Sequence, residues 1–190
     1  MKNNKFLLGI ISLVLMFMLS ACASDSTVES DIESKNMDHK SMNMDNMEHS
    51  GSGEIPEGLK VEENPTYKVG SQANIKGSHM EGMEGAKATI VGAYATTAYV
   101  VSYTPTNGGE KVTNHKWVIQ EEIKNAGSET LKPGTKITIE ADHMEGMKGA
   151  TGTIDSAEHT TVYMIDYTPT KGGEKVKNHR WVTESELSAK

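Results

Sequence analysis

Tyr103-Thr-Pro-Thr-Asn-Gly-Gly-Glu-Lys-Val-Thr-Asn-His115-Lys-Trp117-Val118 returns 64 residues later as Tyr167-Thr-Pro-Thr-Lys-Gly-Gly-Glu-Lys-Val-Lys-Asn-His179-Arg-Trp181-Val182. The same offset carries His79-Met80-Glu81-Gly82-Met83-Glu84-Gly85-Ala86 into His143-Met144-Glu145-Gly146-Met147-Lys148-Gly149-Ala150, and the pairing runs without a gap from Gly70/Gly134 to Ile123/Leu187. The period is too long for most short solenoid repeats, and two copies are too few for one, so it predicts two similar units in tandem. Each unit has about sixty residues, near the lower limit for a fold without disulfides or a metal, so packing of one unit on the other is expected to matter.

Within each unit the apolar pattern has a period of two. Lys136-Ile-Thr-Ile-Glu140 alternates, as does Val162-Tyr-Met-Ile-Asp-Tyr167, which puts Tyr163, Ile165 and Tyr167 on one face and, in the first copy, Tyr99, Val101 and Tyr103. Between these lie a Gly-rich loop and a further strand, Ala86 to Ala93 or Ala150 to Ala157. A Gly-Gly turn leads to a last strand around Trp117 or Trp181. Four or five short, bent strands with no helical period predict an all-β protein. They predict two tandem small SH3-like barrels of the KOW type, whose closure hides the strand edges.

The N-terminus reads as an export signal. Met1-Lys2-Asn-Asn-Lys5 is basic, Phe6 to Leu19 is an apolar run too short for a comfortable span, and Leu19-Ser20-Ala21-Cys22 is a lipobox. Cys22 is the one cysteine, so no intramolecular disulfide can form, and lipidation at Cys22 accounts for it. The expected organisation is a signal peptide over 1–21, a lipidated disordered tether over 22–63, and repeat barrels over 64–126 and 127–190. The tethered protein is expected on the outer face of the cell membrane. The formal charge is −7, and removing 1–21 takes away Lys2 and Lys5 and no acid. Such acidity disfavours nucleic acid and anionic polymers as partners and is compatible with cations.

Met37-Asp-His-Lys-Ser-Met42-Asn-Met44-Asp-Asn-Met47-Glu-His49 packs four thioethers and two imidazoles into thirteen residues with no Leu, Ile, Val or aromatic side chain. Methionine normally fills apolar cores, and this segment has no core to fill. Soft-metal coordination explains it, with Met37, His39, Met42, Met44, Met47 and His49 as candidate ligands for copper, Cu(I) being favoured and Cu(II) acceptable to the imidazoles. The loop motif His-Met-x-Gly-Met adds His79, Met80 and Met83, with His143, Met144 and Met147, as a second candidate set. The competing reading of those loops makes Met80 and Met83 caps of a small core against Trp117. His115 and His179 precede their tryptophans by two and read as partly buried structural histidines, and His159 as an ordinary loop residue. Glu121-Glu122 reads as a solvated strand end. No Gly-x-Ser-x-Gly turn, phosphate loop or paired His-x-His motif is present, so catalysis is not expected.

The lipobox, the Met/His tract and the two copies of His-Met-x-Gly-Met and Tyr-Thr-Pro-Thr-x-Gly-Gly-Glu-Lys-Val-x-Asn-His-x-Trp-Val resemble the YdhK-like lipoprotein family over nearly the whole mature chain. Within it, the likeness is to the CopL type of copper-binding surface lipoprotein of staphylococci, encoded beside a copper-exporting ATPase. That resemblance implies extracellular copper sequestration and copper tolerance, with the membrane, copper ions and an exporting ATPase as partners. The alternative is a surface interaction module whose paired barrels bind cell-wall polymer or a partner protein.

Overall fold

The computed structural model describes residues 50–190; Cys22 and the tether residues Met37, His39, Met42, Met44, Met47 and His49 lie outside them. The described part is all β apart from two single-turn 3-10 segments, Gln120–Glu122 and Glu184–Glu186. Its strands are β1 (Lys60–Val61), β2 (Gln72–Ile75), β3 (Lys87–Thr104), β4 (Val112–Ile119), β5 (Lys136–Thr138), β6 (Thr151–Tyr167), β7 (Val176–Thr183) and β8 (Leu187–Ala189).

Two separate barrels are not what forms. Segments expected as distinct strands, 86–93 and 99–103, run together as the 18 residues of β3, and their counterparts as the 17 residues of β6. The Gly92-Ala-Tyr-Ala-Thr-Thr stretch between them carries none of the Pro, Asn-Gly or Gly-Gly signals that turn a chain. β3 and β6 then pair antiparallel from Ala88↔Tyr167 to Thr104↔Thr151. Bulges between Ile90 and Gly92 and between Val100 and Val101 bend the ribbon. One open sheet results, in the order β5-β6-β3-β2-β8, with β1 and β4 also on β3 and β7 on β6.

The register explains the duplication. Thr96 pairs with Thr160, its own equivalent in the other repeat, and Ala88↔Tyr167 is matched by Tyr103↔Gly152. A local two-fold axis therefore passes through the Thr96/Thr160 pair and exchanges the repeats. Because each long strand crosses that axis, each core draws on both repeats. One gathers Ile75, Met83, Ala86 and Ile90 with Tyr163, Ile165, Tyr167 and Leu187. The other gathers Tyr99, Val101, Tyr103 and Ile123 with Ile139, Met147, Ala150 and Ile154. A third cluster on the axis holds Leu59, Ala98, Val100, Trp117, Ile119, Val162, Met164 and Trp181. The exchange extends to the edges, where β2 of the first repeat pairs with β8 of the second.

The folded body also begins earlier than composition implies. Leu59 is buried in the axial cluster, and β1 pairs Lys60 with Ala95 and Val61 with Tyr94. Further upstream, Gly51 N donates to Lys177 O at 2.9 Å and Arg180 Nη1 to Glu54 O at 2.9 Å. Both bonds engage main-chain groups of the upstream segment, which depends little on side-chain hydropathy, so a polar composition hides it.

A chain cut to residues 64–126 retains half of each core. It is expected to be unfolded as a monomer and to recover β structure only as a homodimer that rebuilds the two-fold, which sedimentation and circular dichroism across a concentration series will show. A folded monomer would contradict the shared cores.

Candidate functional site

Each 3-10 turn ends in a glutamate that is buried: Glu122 is 3% exposed and Glu186 9%. Glu122 is therefore not the solvated strand end that its sequence suggests. Its Oε2 accepts from the Ile119 amide at 3.2 Å and from Trp181 Nε1 at 3.1 Å, and its Oε1 lies 2.7 Å from His143 Nε2. Glu186 does the same with the repeats exchanged. It accepts from the Thr183 amide at 3.1 Å and Trp117 Nε1 at 2.7 Å, and lies 2.6 Å from His79 Nε2. Both tryptophans and both histidines come from the repeat opposite their glutamate.

A carboxylate is acceptor-only, so His79 and His143 must donate through Nε2–H, which in the neutral ring leaves a lone pair on Nδ1. Both Nδ1 atoms are buried and have no hydrogen-bond partner among the described residues, and the same holds for His115 Nε2. A buried polar atom left unpaired is costly and asks for an explanation. Carboxylate–imidazole pairs that leave the second nitrogen free are how proteins orient metal-binding histidines.

These atoms meet in one cleft of about 1100 Å³ between the repeats, lined among others by His79, His115, His143 and His179 and by Met80 and Met144. His115 stands edge-on to Tyr103 at 5.8 Å and His179 edge-on to Tyr167 at 5.7 Å. Counting in twos along β4 put His115 on the face of Trp117. The pairing of β4 with β3 instead shifts on both sides of His115, which frees it to face the cleft while Trp117 enters the axial cluster. Burial, then the neighbouring His143 and His79, push the His115 imidazole down to about 4, against an opposing pull from Glu122. Burial alone would raise the Glu186 carboxyl, but the bonds from His79, Trp117 and the Thr183 amide outweigh it and hold it at about 2.

The loop residues expected as ligands divide. His79, Met80, His143 and Met144 line the cleft, Met144 being 41% exposed. Met83 and Met147 are fully buried, one in each shared core, and fill space there instead. His159 lies within β6, opposite Thr97, not in a loop. Each His-Met-x-Gly-Met loop is clasped by the Pro-containing loop of the other repeat. Thr106 N donates to Gly146 O at 2.9 Å, and Thr170 N to Gly82 O at 2.8 Å. Gly82 and Gly146 have φ of +72° and +74°, and a Cβ on Gly146 would stand 2.8 Å from Asn107 Oδ1. Only glycine meets both demands.

Among the described residues, no three His, Cys, Asp or Glu side chains are gathered as a metal-holding group. What the cleft offers are imidazoles with a thioether next to each of two of them in sequence, Met80 half-buried and Met144 exposed. Imidazole nitrogens are donors of borderline softness and thioether sulfurs are soft ones.

The repeat pattern is that of a described family. A model for a protein of unknown function, DUF1541, matches residues 69–120 and again 133–184. The chain belongs to the DUF1541 family. It is 61% identical over 190 residues to the uncharacterized protein YdhK of Bacillus subtilis (strain 168), covering 100% of this chain and 92% of YdhK. The crystal structure of that DUF1541 protein at 2.00 Å resolution matches with a TM-score of 0.74 and 69% identity, over 77% of this chain and 99% of the other. A solution NMR structure of the YdhK C-terminal domain matches with a TM-score of 0.62 and 72% identity, over 65% of this chain and 93% of that domain.

The acidic residues that organise this DUF1541 site were missed in the sequence, although a signal was present. Between the copies Gln120 becomes Glu184 and Glu121 becomes Ser185, whereas Glu122 and Glu186 match, each five residues after its tryptophan.

Two expectations follow. Glu122→Ala strands the Trp181 and Ile119 donors and His143, and is expected to cost about 3–5 kcal/mol in urea denaturation; a cost below about 1 kcal/mol would mean that the cleft does not depend on it. The pH response has a fixed sign. The unfolded chain protonates His115 near 6.5, before the folded one does near 4, and Glu186 near 4.5, before about 2. Stability at these two groups is thus complete above pH 6.5 and falls with pH, first between 6.5 and 4 and then between 4.5 and 2, as denaturation midpoints across that range will show.

Proposed function

We propose that this DUF1541 protein is an extracellular copper-binding lipoprotein, anchored to the membrane through Cys22, that sequesters copper and so supports copper tolerance. The observation that carries this reading is the pair of carboxylate-held imidazoles, His79 and His143, whose buried Nδ1 atoms have no hydrogen-bond partner among the described residues, at a cleft lined by Met80 and Met144. Thioethers need no deprotonation, so they bind outside the cell even in mildly acidic surroundings, and Cu(I) is the favoured cargo.

The Met/His tract adds a second set of donors. Ser50, the residue bonded to His49, lies on the wall of the same cleft, and its Oγ accepts from the Lys177 amide at 3.0 Å. Covalent linkage of the tract to Ser50 would raise the effective concentration of its donors at the cleft. Retention of the ion, with no chemical turnover, is what a set of donors lacking a nucleophile or general base arrangement provides. A copper-exporting ATPase at the same membrane is the partner that the likeness to CopL-type lipoproteins suggests.

The test is Cu(I) competition with a chromophoric chelator. The mature chain is expected to take up more than one copper ion, deletion of residues 37–49 to lower the stoichiometry, and Gly146→Ala to weaken what remains by displacing the His143 loop. Failure to compete at all would sink the copper reading and leave the cleft as a surface interaction module for cell-wall polymer or a partner protein.

A further inference from the structure

We propose that His115 and His143 together hold one soft monovalent ion, bridging the two repeats, with Met144 as an accessory thioether. This deepens the copper reading and rests on it: it names a ligand, His115, that neither the loop motif nor the tether contains, and it makes the site a property of the paired repeats.

The geometry comes from two independent devices. His143 belongs to the second repeat and is fixed by Glu122 at 2.7 Å, which commits its Nε2 and leaves Nδ1 buried and unpartnered. His115 belongs to β4 of the first repeat and is fixed by its edge contact with Tyr103 at 5.8 Å, which leaves Nε2 buried and unpartnered. The two ring centroids stand 6.4 Å apart with a 38° tilt. Two imidazoles sharing one metal through bonds of about 2 Å have centroids about 6 Å apart when the ion lies between them. That spacing suits two-coordinate Cu(I) or Ag(I), and tetrahedral zinc would draw the rings closer and require further ligands. Both side chains are already held by packing or hydrogen bonding, so little rotamer entropy is lost on binding.

Two of the cations lining the cleft are engaged by carboxylates. Lys116 Nζ lies 3.6 Å from Glu186 Oε1, and Arg180 Nη2 is 2.9 Å from Asp142 Oδ1. Met144 follows His143 directly and is 41% exposed at the cleft, where a thioether can meet an arriving ion.

Long-range 1H–15N correlation of the imidazole nitrogens tests the proposal, with the mature chain titrated with Ag(I) as a redox-inert probe and then with Cu(I) under anaerobic conditions. His115 Nε2 and His143 Nδ1 are expected to shift together over the same equivalent. His115→Phe keeps the ring against Tyr103, and His143→Gln keeps a donor for Glu122, so both variants should fold, as circular dichroism will verify. Each is expected to abolish the metal-induced shift at the other ring and to weaken Ag(I) binding in the cleft at least about 10-fold. A shift at one ring that survives loss of the other overturns the shared site. Metal uptake that leaves both rings unmoved also overturns it while leaving copper binding by the tether intact, whereas no uptake of either ion removes both readings.

Discussion

Pairing of β3 with β6 along their whole length is the constraint on which the rest of this protein depends. Once Thr96 faces Thr160, Ala88 to Thr104 lie opposite Thr151 to Tyr167, the equivalent strand of the other repeat. A strand of eighteen residues is far longer than a sixty-residue unit can cover with its own side chains, so its far end is buried by the neighbour. The two shared cores, the exchange of β2 and β8 at the edge, and the reciprocal clasping of the His-Met-x-Gly-Met loops all follow from that one register. Duplication within a single chain supplies both halves at a fixed and high local concentration.

The same exchange creates the cleft. Glu122 and Glu186 are buried charges, and a buried charge is tolerated only when its hydrogen bonds are filled. Each is filled by an indole and an imidazole that the opposite repeat delivers. These carboxylates therefore join two tasks. They tie the repeats together with charge-assisted bonds, and they set the tautomer of the histidines whose other nitrogen remains available. A purely structural polar network would be expected to close on itself; here buried ring nitrogens on His79, His115 and His143 have no hydrogen-bond partner among the described residues, and all three rings line one cleft.

Membership of the DUF1541 family, and the likeness in structure to YdhK of Bacillus subtilis, establish the architecture but name no activity. The functional reading rests on donor chemistry. In the proposed reading thioethers and imidazoles favour a soft ion, and the cleft and the Met/His tract present those donors in two forms. One is held rigidly by carboxylates and aromatic edges, and the other is carried by residues 37–49.

The sequence by itself determined the duplication, the all-β class and the candidate ligands His79, Met80, His143 and Met144. Repetition and donor type are written in residue order and need no third dimension. It also marked Met83 and Met147 as equals of those ligands, because a motif records spacing and not which side of a turn faces a core. Only the tertiary structure decided that the predicted barrels are one open sheet, that Glu122 is buried, and that His115 meets His143. The physical reason is common to all three: each depends on contacts between residues of different repeats, set by a strand register and its bulges, and a repeat read along the chain looks complete in itself.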